Sequence, residues 1–240
     1  MTRTIYQWEE ILKQQVSGGD ILLGQIPLGH PPYDQADMDE LGRLLSIELR
    51  PSRFNDSLNY VKRKFPLSFA LYLVLHGIYS YDSGEYWPKV DVHLNYVEGF
   101  QGPLCGEAFR DILAKHNLPA FEHIEGLTNL VPILAHGGLP NASLERFFHL
   151  LEKSTKESLI ALDAEALMEE WNESLDEKLY FIGKPGSRFI SYGGAIAEDF
   201  INRCLMLLNS EKPEESKTLQ LPERVVDAYW LWRAKVGTKP

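Results

Sequence analysis

Histidine is the side chain best able to exchange a proton near neutral pH. Seven are scattered over these 240 residues, at His30, His76, His93, His116, His123, His136 and His149. Three of their settings could do chemistry. In RDILAKH, Arg110 to His116, a guanidinium, a carboxylate and an imidazole lie close together. Such a group could hold charge on a phosphate and move a proton, with Asp111 orienting the other two. In HNLPAFEHIE, His116 and His123 stand near Glu122 and Glu125, donors of the kind zinc takes. A polar loop between helices accounts for the same residues. In ILAHGGLPN, His136 precedes two glycines, as in loops whose amides bind an oxyanion. That device works beside a nucleophile elbow on a parallel sheet, and the chain has no GxSxG. His136 therefore reads as packing near a helix end. The Walker A, CxxC and HExxH patterns are missing too, as is GxGxxG after a strand. We expect no cofactor and no metal.

RDILAKH also resembles the motif of the HEPN ribonucleases, an arginine and a polar residue followed after four residues by a histidine. Those proteins are all-α and often act with partner proteins in bacterial defence and toxin systems. The resemblance implies metal-independent RNA cleavage, with His116 as general acid or base. Arg110 would then stabilise the phosphorane and Asp111 would orient the pair. It covers these residues alone. Without it, Arg110 and His116 read as a solvated helix edge, broken at Asn117-Leu118-Pro119.

Two further groups suit binding. Lys62, Arg63 and Lys64, with Arg50 and Arg53 before them, form the only basic concentration. Net charge is −10 and the pI about 5.2, which argues against wholesale nucleic-acid binding but leaves room for a local patch. A charged helix end is the competing reading. Tyr229, Trp230 and Trp232 put aromatic bulk on more sides than one core-facing stripe needs. With Tyr86 and Trp87 of the YW-P stretch, they are the candidate anchors for a protein partner or for a further domain of the same polypeptide.

What must position these residues is helical. Ile5, Trp8, Ile11 and Leu12 make a stripe that should end at Ser17-Gly18-Gly19. Met38, Leu41, Leu44 and Leu45 make a second, and Phe54, Leu58 and Val61 a third. Pro66 suits a first turn, so FPLSFALYLVLHGIYSY reads as a buried central helix with a core histidine at His76, not a membrane span. Tyr86 and Trp87 should be extended or in a last turn, since they precede Pro88. Helices are expected over Leu104 to Lys115 and Ile124 to Leu134, then from an N-cap at Asn141 or Ser143. Glu152 to Lys178 reads as a surface helix pair, EKLYFI as the best strand candidate and PGSRFISYGG as a loop. The expected fold is all-α, an irregular multi-helix globular fold of about ten helices.

The expected division is a helical core over 1–209, a hydrophilic linker over 210–220 (EKPEESK at its centre) and an amphipathic C-terminal helix over 221–240. Cys105 and Cys204 suit a reducing compartment, and no signal peptide is visible, so we expect a cytoplasmic, non-membrane protein. Function is expected to be that of a non-catalytic helical interaction module, the N-terminal part of a larger bacterial-type assembly protein. The alternatives are the HEPN-like ribonuclease and a nucleic-acid-contacting module using Arg50 to Lys64.

Overall fold

The computed structural model describes residues 3–16, 22–24, 33–50, 53–81, 86–95, 100–120, 130–157, 163–173, 179, 181–219 and 221–237. Of these residues 80% are helical, in 13 α-helices, and none is in a strand. The all-α expectation holds, at a helix number close to that expected. The chain divides into two compact units, Met1–Gly137 and Gly138–Pro240.

In the first unit α1 (Ile5–Gln15) opens with a capping box, Thr4 accepting from the Gln7 N–H at 3.3 Å while the Gln7 side chain accepts from the Thr4 N–H at 2.8 Å. Its stop at Ser17-Gly18-Gly19 lies outside the described residues. Helix α2 (Gln35–Glu48) begins with a second box, between Asp34 and Asp37. α3 (Phe54–Lys64) runs into α4 (Pro66–Tyr79) with only Phe65 between them. Pro66 occupies the first turn, where its missing N–H is not needed.

Every residue of α4 from Pro66 to Ile78 is buried. A helix apolar on all sides must be covered on all sides, and α1, α2, α3, α5, α6 and α7 all pack on it. Its 14 residues span about 21 Å, short of a bilayer's apolar thickness. Among the described residues no helix is long and apolar enough to cross a membrane. Next come α5 (Tyr86–His93), α6 (Gly102–Lys115) and α7 (Val131–His136). The helical start of α5 corrects the extended reading of Tyr86 and Trp87. Pro88 falls in its first turn, where the helix needs no donor. Of the helix expected from Ile124, the part up to residue 129 lies outside the described residues.

The second unit holds α8 (Asn141–Glu157), α9 (Ala164–Glu173), α10 (Lys184–Tyr192), α11 (Gly194–Leu208), α12 (Pro213–Ser216) and α13 (Glu223–Gly237). Asn141 and Ser143 both lie inside the first turn of α8 rather than before it. PGSRFISYGG is not a loop, since most of it is α10. Pro185 sits in the first turn, and Gly186 is there because a Cβ would come within 3.0 Å of Leu139 and 3.2 Å of Ser143. EKLYFI supplies no strand where it is described, because Leu179 and Phe181 are helical. Residues 210–219 carry α12 and a 3₁₀ turn, Lys217–Leu219. They lie inside the second unit, with Ser216 buried and the Leu219 carbonyl accepting from Arg203 at 3.2 Å.

Candidate functional site

Among the described residues of the first unit, one connected chain of titratable side chains was not visible in the sequence. Asp39 comes from α2, Tyr72 and His76 from α4, and His93 from the end of α5. Tyr72 Oη lies 3.0 Å from His93 Nδ1, and His93 Nε2 lies 3.3 Å from Asp39 Oδ1. In the tautomer with its proton on Nε2, His93 donates to the carboxylate and accepts from the phenol. The rings of Tyr72 and His93 stack at 5.6 Å, and His76 stands 5.6 Å from both His93 and Tyr86. Gly42 makes room for the imidazole, since a Cβ there would lie 2.8 Å from His93 Cε1.

Burial governs the protonation of this cluster. It pushes the Tyr72 and Tyr86 hydroxyls well above their ordinary value and the nearby Cys105 thiol up to about 12. It lowers His76 to about 4, helped by His93. His76 is the core histidine expected, with a hydrogen bond to the Lys89 backbone but no partner for Nδ1 among the described residues. The arrangement is that of an acid–base relay, yet Tyr72 at its inner end is 0% exposed. The phenol is closed to solvent, and the relay ties α2, α4 and α5 together.

His136 is likewise fully buried, and Nδ1 accepts from the Leu23 N–H at 3.3 Å while Nε2 donates to the Pro119 carbonyl at 2.8 Å. Its own carbonyl accepts from the Gly24 N–H at 3.0 Å. The HGG segment is thus a joint binding three segments of chain, and burial holds the imidazole at about 4. His30 and His123, with Glu122 and Glu125, lie outside the described residues. Among those described, no group of three or more His, Cys, Asp or Glu is placed to hold a metal ion.

The residues of RDILAKH lie on the second half of α6 and its cap. Arg110 and Asp111 are exposed, and His116 is the C-cap. Six residues of helix put Arg110 and His116 about 9 Å apart along the axis, and no hydrogen bond joins them. Asp111 instead accepts from Lys62 of α3. His116 has a buried Nε2 without a partner among the described residues, and burial with the nearby Lys115 and Lys13 charges lowers its pKa. The helix ends there because Asn117 takes φ +50°. Leu118 N–H then reaches the Leu113 carbonyl at 3.0 Å, a Schellman closure with both leucines buried.

The five candidate partner anchors separate. Tyr86, Tyr229 and Trp232 are 1%, 1% and 4% exposed, so they are core residues and not surface anchors. Tyr86 donates to the Leu73 carbonyl at 2.6 Å, and Trp232 stacks on Phe148 at 5.9 Å. Trp87 and Trp230 are half-buried. The large apolar side chain that α13 exposes among its described residues is Leu231, at 66%. Of the basic group, Arg50, Arg53, Arg63 and Lys64 are exposed and Lys62 is half-buried. Lys62, Arg63 and Lys64 form the last turn of α3, where cations suit the negative end of the helix dipole.

The chain matches no known family model, no curated protein and no solved structure.

Proposed function

We propose that the chain is a non-catalytic helical module, part of a larger assembly, that meets a protein partner through the outer side of α13. One observation carries the reading: Leu231 is 66% exposed beside half-buried Trp230, while Tyr229 and Trp232 on either side are locked in the core. An apolar side chain held rigidly outward by buried neighbours loses little conformational freedom on binding. Met206, 58% exposed, belongs to the C-terminal turns of α11, where the Leu208 carbonyl accepts from Tyr229 at 3.3 Å.

The test is a photocrosslinking residue at position 231, with exposed Asp199 as the control position. A discrete adduct in native cells from 231 alone, lost on adding Trp230→Ala, is the expected result. Leu231→Asp should leave the melting temperature unchanged. No adduct specific to 231, or a melting temperature that collapses with Leu231→Asp, overturns the reading.

A further inference from the structure

The sequence offers two separate basic features, the end of α3 and the RDILAKH helix, and the fold of the first unit makes them one face. Lys62 of α3 is bonded to Asp111 of α6. Lys13 of α1 and Lys115 of α6 both act on His116. Tyr6 of α1, 62% exposed, packs edge-on against Phe65 at 4.9 Å, and Tyr60 of α3 packs on the same ring at 6.0 Å. Tyr60 in turn feels Tyr6, Glu48 and Arg63. Tyr6 and Lys13 are seven residues apart, so they share one side of α1.

The cations carried by these stretches of α1, α3 and α6 are Lys13, Lys62, Arg63, Lys64, Arg110 and Lys115. Against them stand Glu10, bonded to Lys13 at 2.7 Å, Asp111, bonded to Lys62, Glu48, and the exposed Asp56 of α3 and Glu107 of α6. Six cations against five carboxylates leave a surplus of one positive charge here, in a chain of net charge −10. Arg63, Lys64 and Arg110 are exposed and make no ion pair among the described residues. Beside them Tyr6 offers an open ring fixed at its base by Phe65.

Cations track a phosphodiester backbone, and an exposed ring gives a base something to stack on. Only a single strand presents both at once. We propose that this face of α1, α3 and α6 binds single-stranded nucleic acid without reading its sequence. Phosphates lie along Arg63, Lys64, Arg110 and Lys115, with a base on Tyr6. The proposal is independent of the α13 surface.

Fluorescence anisotropy of the full chain with a labelled 20-nucleotide uridine oligomer, at 25 to 150 mM KCl, tests it. Affinity should fall with salt. Arg63→Ala with Lys64→Ala should reduce the log–log salt slope by about 1.4, two single-strand phosphates' worth. Tyr6→Ala should weaken binding about tenfold and leave that slope alone. Lys212→Glu, exposed in the second unit, should change nothing, and circular dichroism should be the same for all variants. No binding at 25 mM KCl overturns the proposal. So does binding indifferent to the Arg63 and Lys64 changes, or equal affinity for a duplex with no effect of Tyr6→Ala. Attachment to phosphatidylserine vesicles but not to the oligomer assigns the face to a membrane surface and overturns it equally.

Discussion

Two imidazoles, His76 and His136, are held neutral by burial at about 4, and this has a direct cost on acidification. Near pH 7.5 both are uncharged whether the chain is folded or unfolded, so neither contributes. Below the ordinary imidazole value near 6.5 the unfolded chain gains protons that the native chain refuses. Stability then falls by about 1.4 kcal/mol per pH unit for each group until the folded value is passed. Glu9 runs the other way. Burial raises its pKa, so the native chain keeps that proton longer, and stability declines as pH rises through the window just above 4.5. The histidines dominate between pH 6.5 and 5. The urea midpoint should drop clearly over that range, and His136→Gln should flatten the drop. At pH 7.5 the variant should cost about 1–2 kcal/mol for imperfect replacement of the Leu23 and Pro119 bonds. If the wild-type midpoint is level from pH 7.5 to 5, the buried imidazoles are not kept neutral.

Helix ends are where elements are won or lost here. Nothing on α4's own cap residue, Phe65, satisfies its first turn. Glu9 does so from α1, accepting from the Leu67 N–H at 3.2 Å, the Ser68 N–H at 2.9 Å and Ser68 Oγ–H at 2.8 Å. Glu9→Ala strands three donors in the core and should cost about 3 kcal/mol, while Ser68→Ala, which leaves both backbone bonds, should cost about 1 kcal/mol. Thermal melts of the two variants separate the cap from mere burial: equal losses would mean Glu9 does not act as one. At the end of α6, Asn117→Val puts a β-branched residue at φ +50° and should cost about 1–2 kcal/mol, whereas Asn117→Gly should be close to neutral. A neutral Asn117→Val would remove the Schellman account of this terminus.

These ends also show what was legible in the sequence. Pro66, the Asn117 stop and the apolar stripes announced α1 to α4 and α6, because each signal is local. PGSRFISYGG is helical where a loop is expected, because Gly186 and Gly193 are small for packing. A Cβ at Gly193 would come within 2.5 Å of the Phe189 carbonyl oxygen. The Asp39–His93–Tyr72 chain could not be read at all, since its members lie on three helices and no spacing links them. Nor could the sequence tell which of Tyr229, Trp230, Leu231 and Trp232 face outward, because aromatic surplus does not fix the rotation of α13.

At the scale of the whole molecule, stability is organised around one fully covered helix in the first unit and one buried helix face in the second. In the first unit that helix is α4, from Phe69 to Leu75 wholly buried. In the second, α8 carries Phe147, Phe148 and Leu151 inward, with Trp171, Phe200, Tyr229 and Trp232 packed on the two phenylalanines. Amides of a fully covered helix exchange only when the unit around them opens, whereas those of a helix with one wet side can open locally. In hydrogen exchange at pH 7, Phe69 to Leu75 should therefore be the slowest segment of the first unit, and Phe147 to Leu151 the slowest of the second. α5, with Val92 75% exposed, should exchange well before α4 although it lends His93 to the same cluster. Trp232→Ala should speed exchange at Phe147 to Leu151 and lower stability by about 3–5 kcal/mol, as a core truncation does. Equal protection of α4 and α5 would show that the His93 relay, not apolar enclosure, sets the opening energy of the first unit.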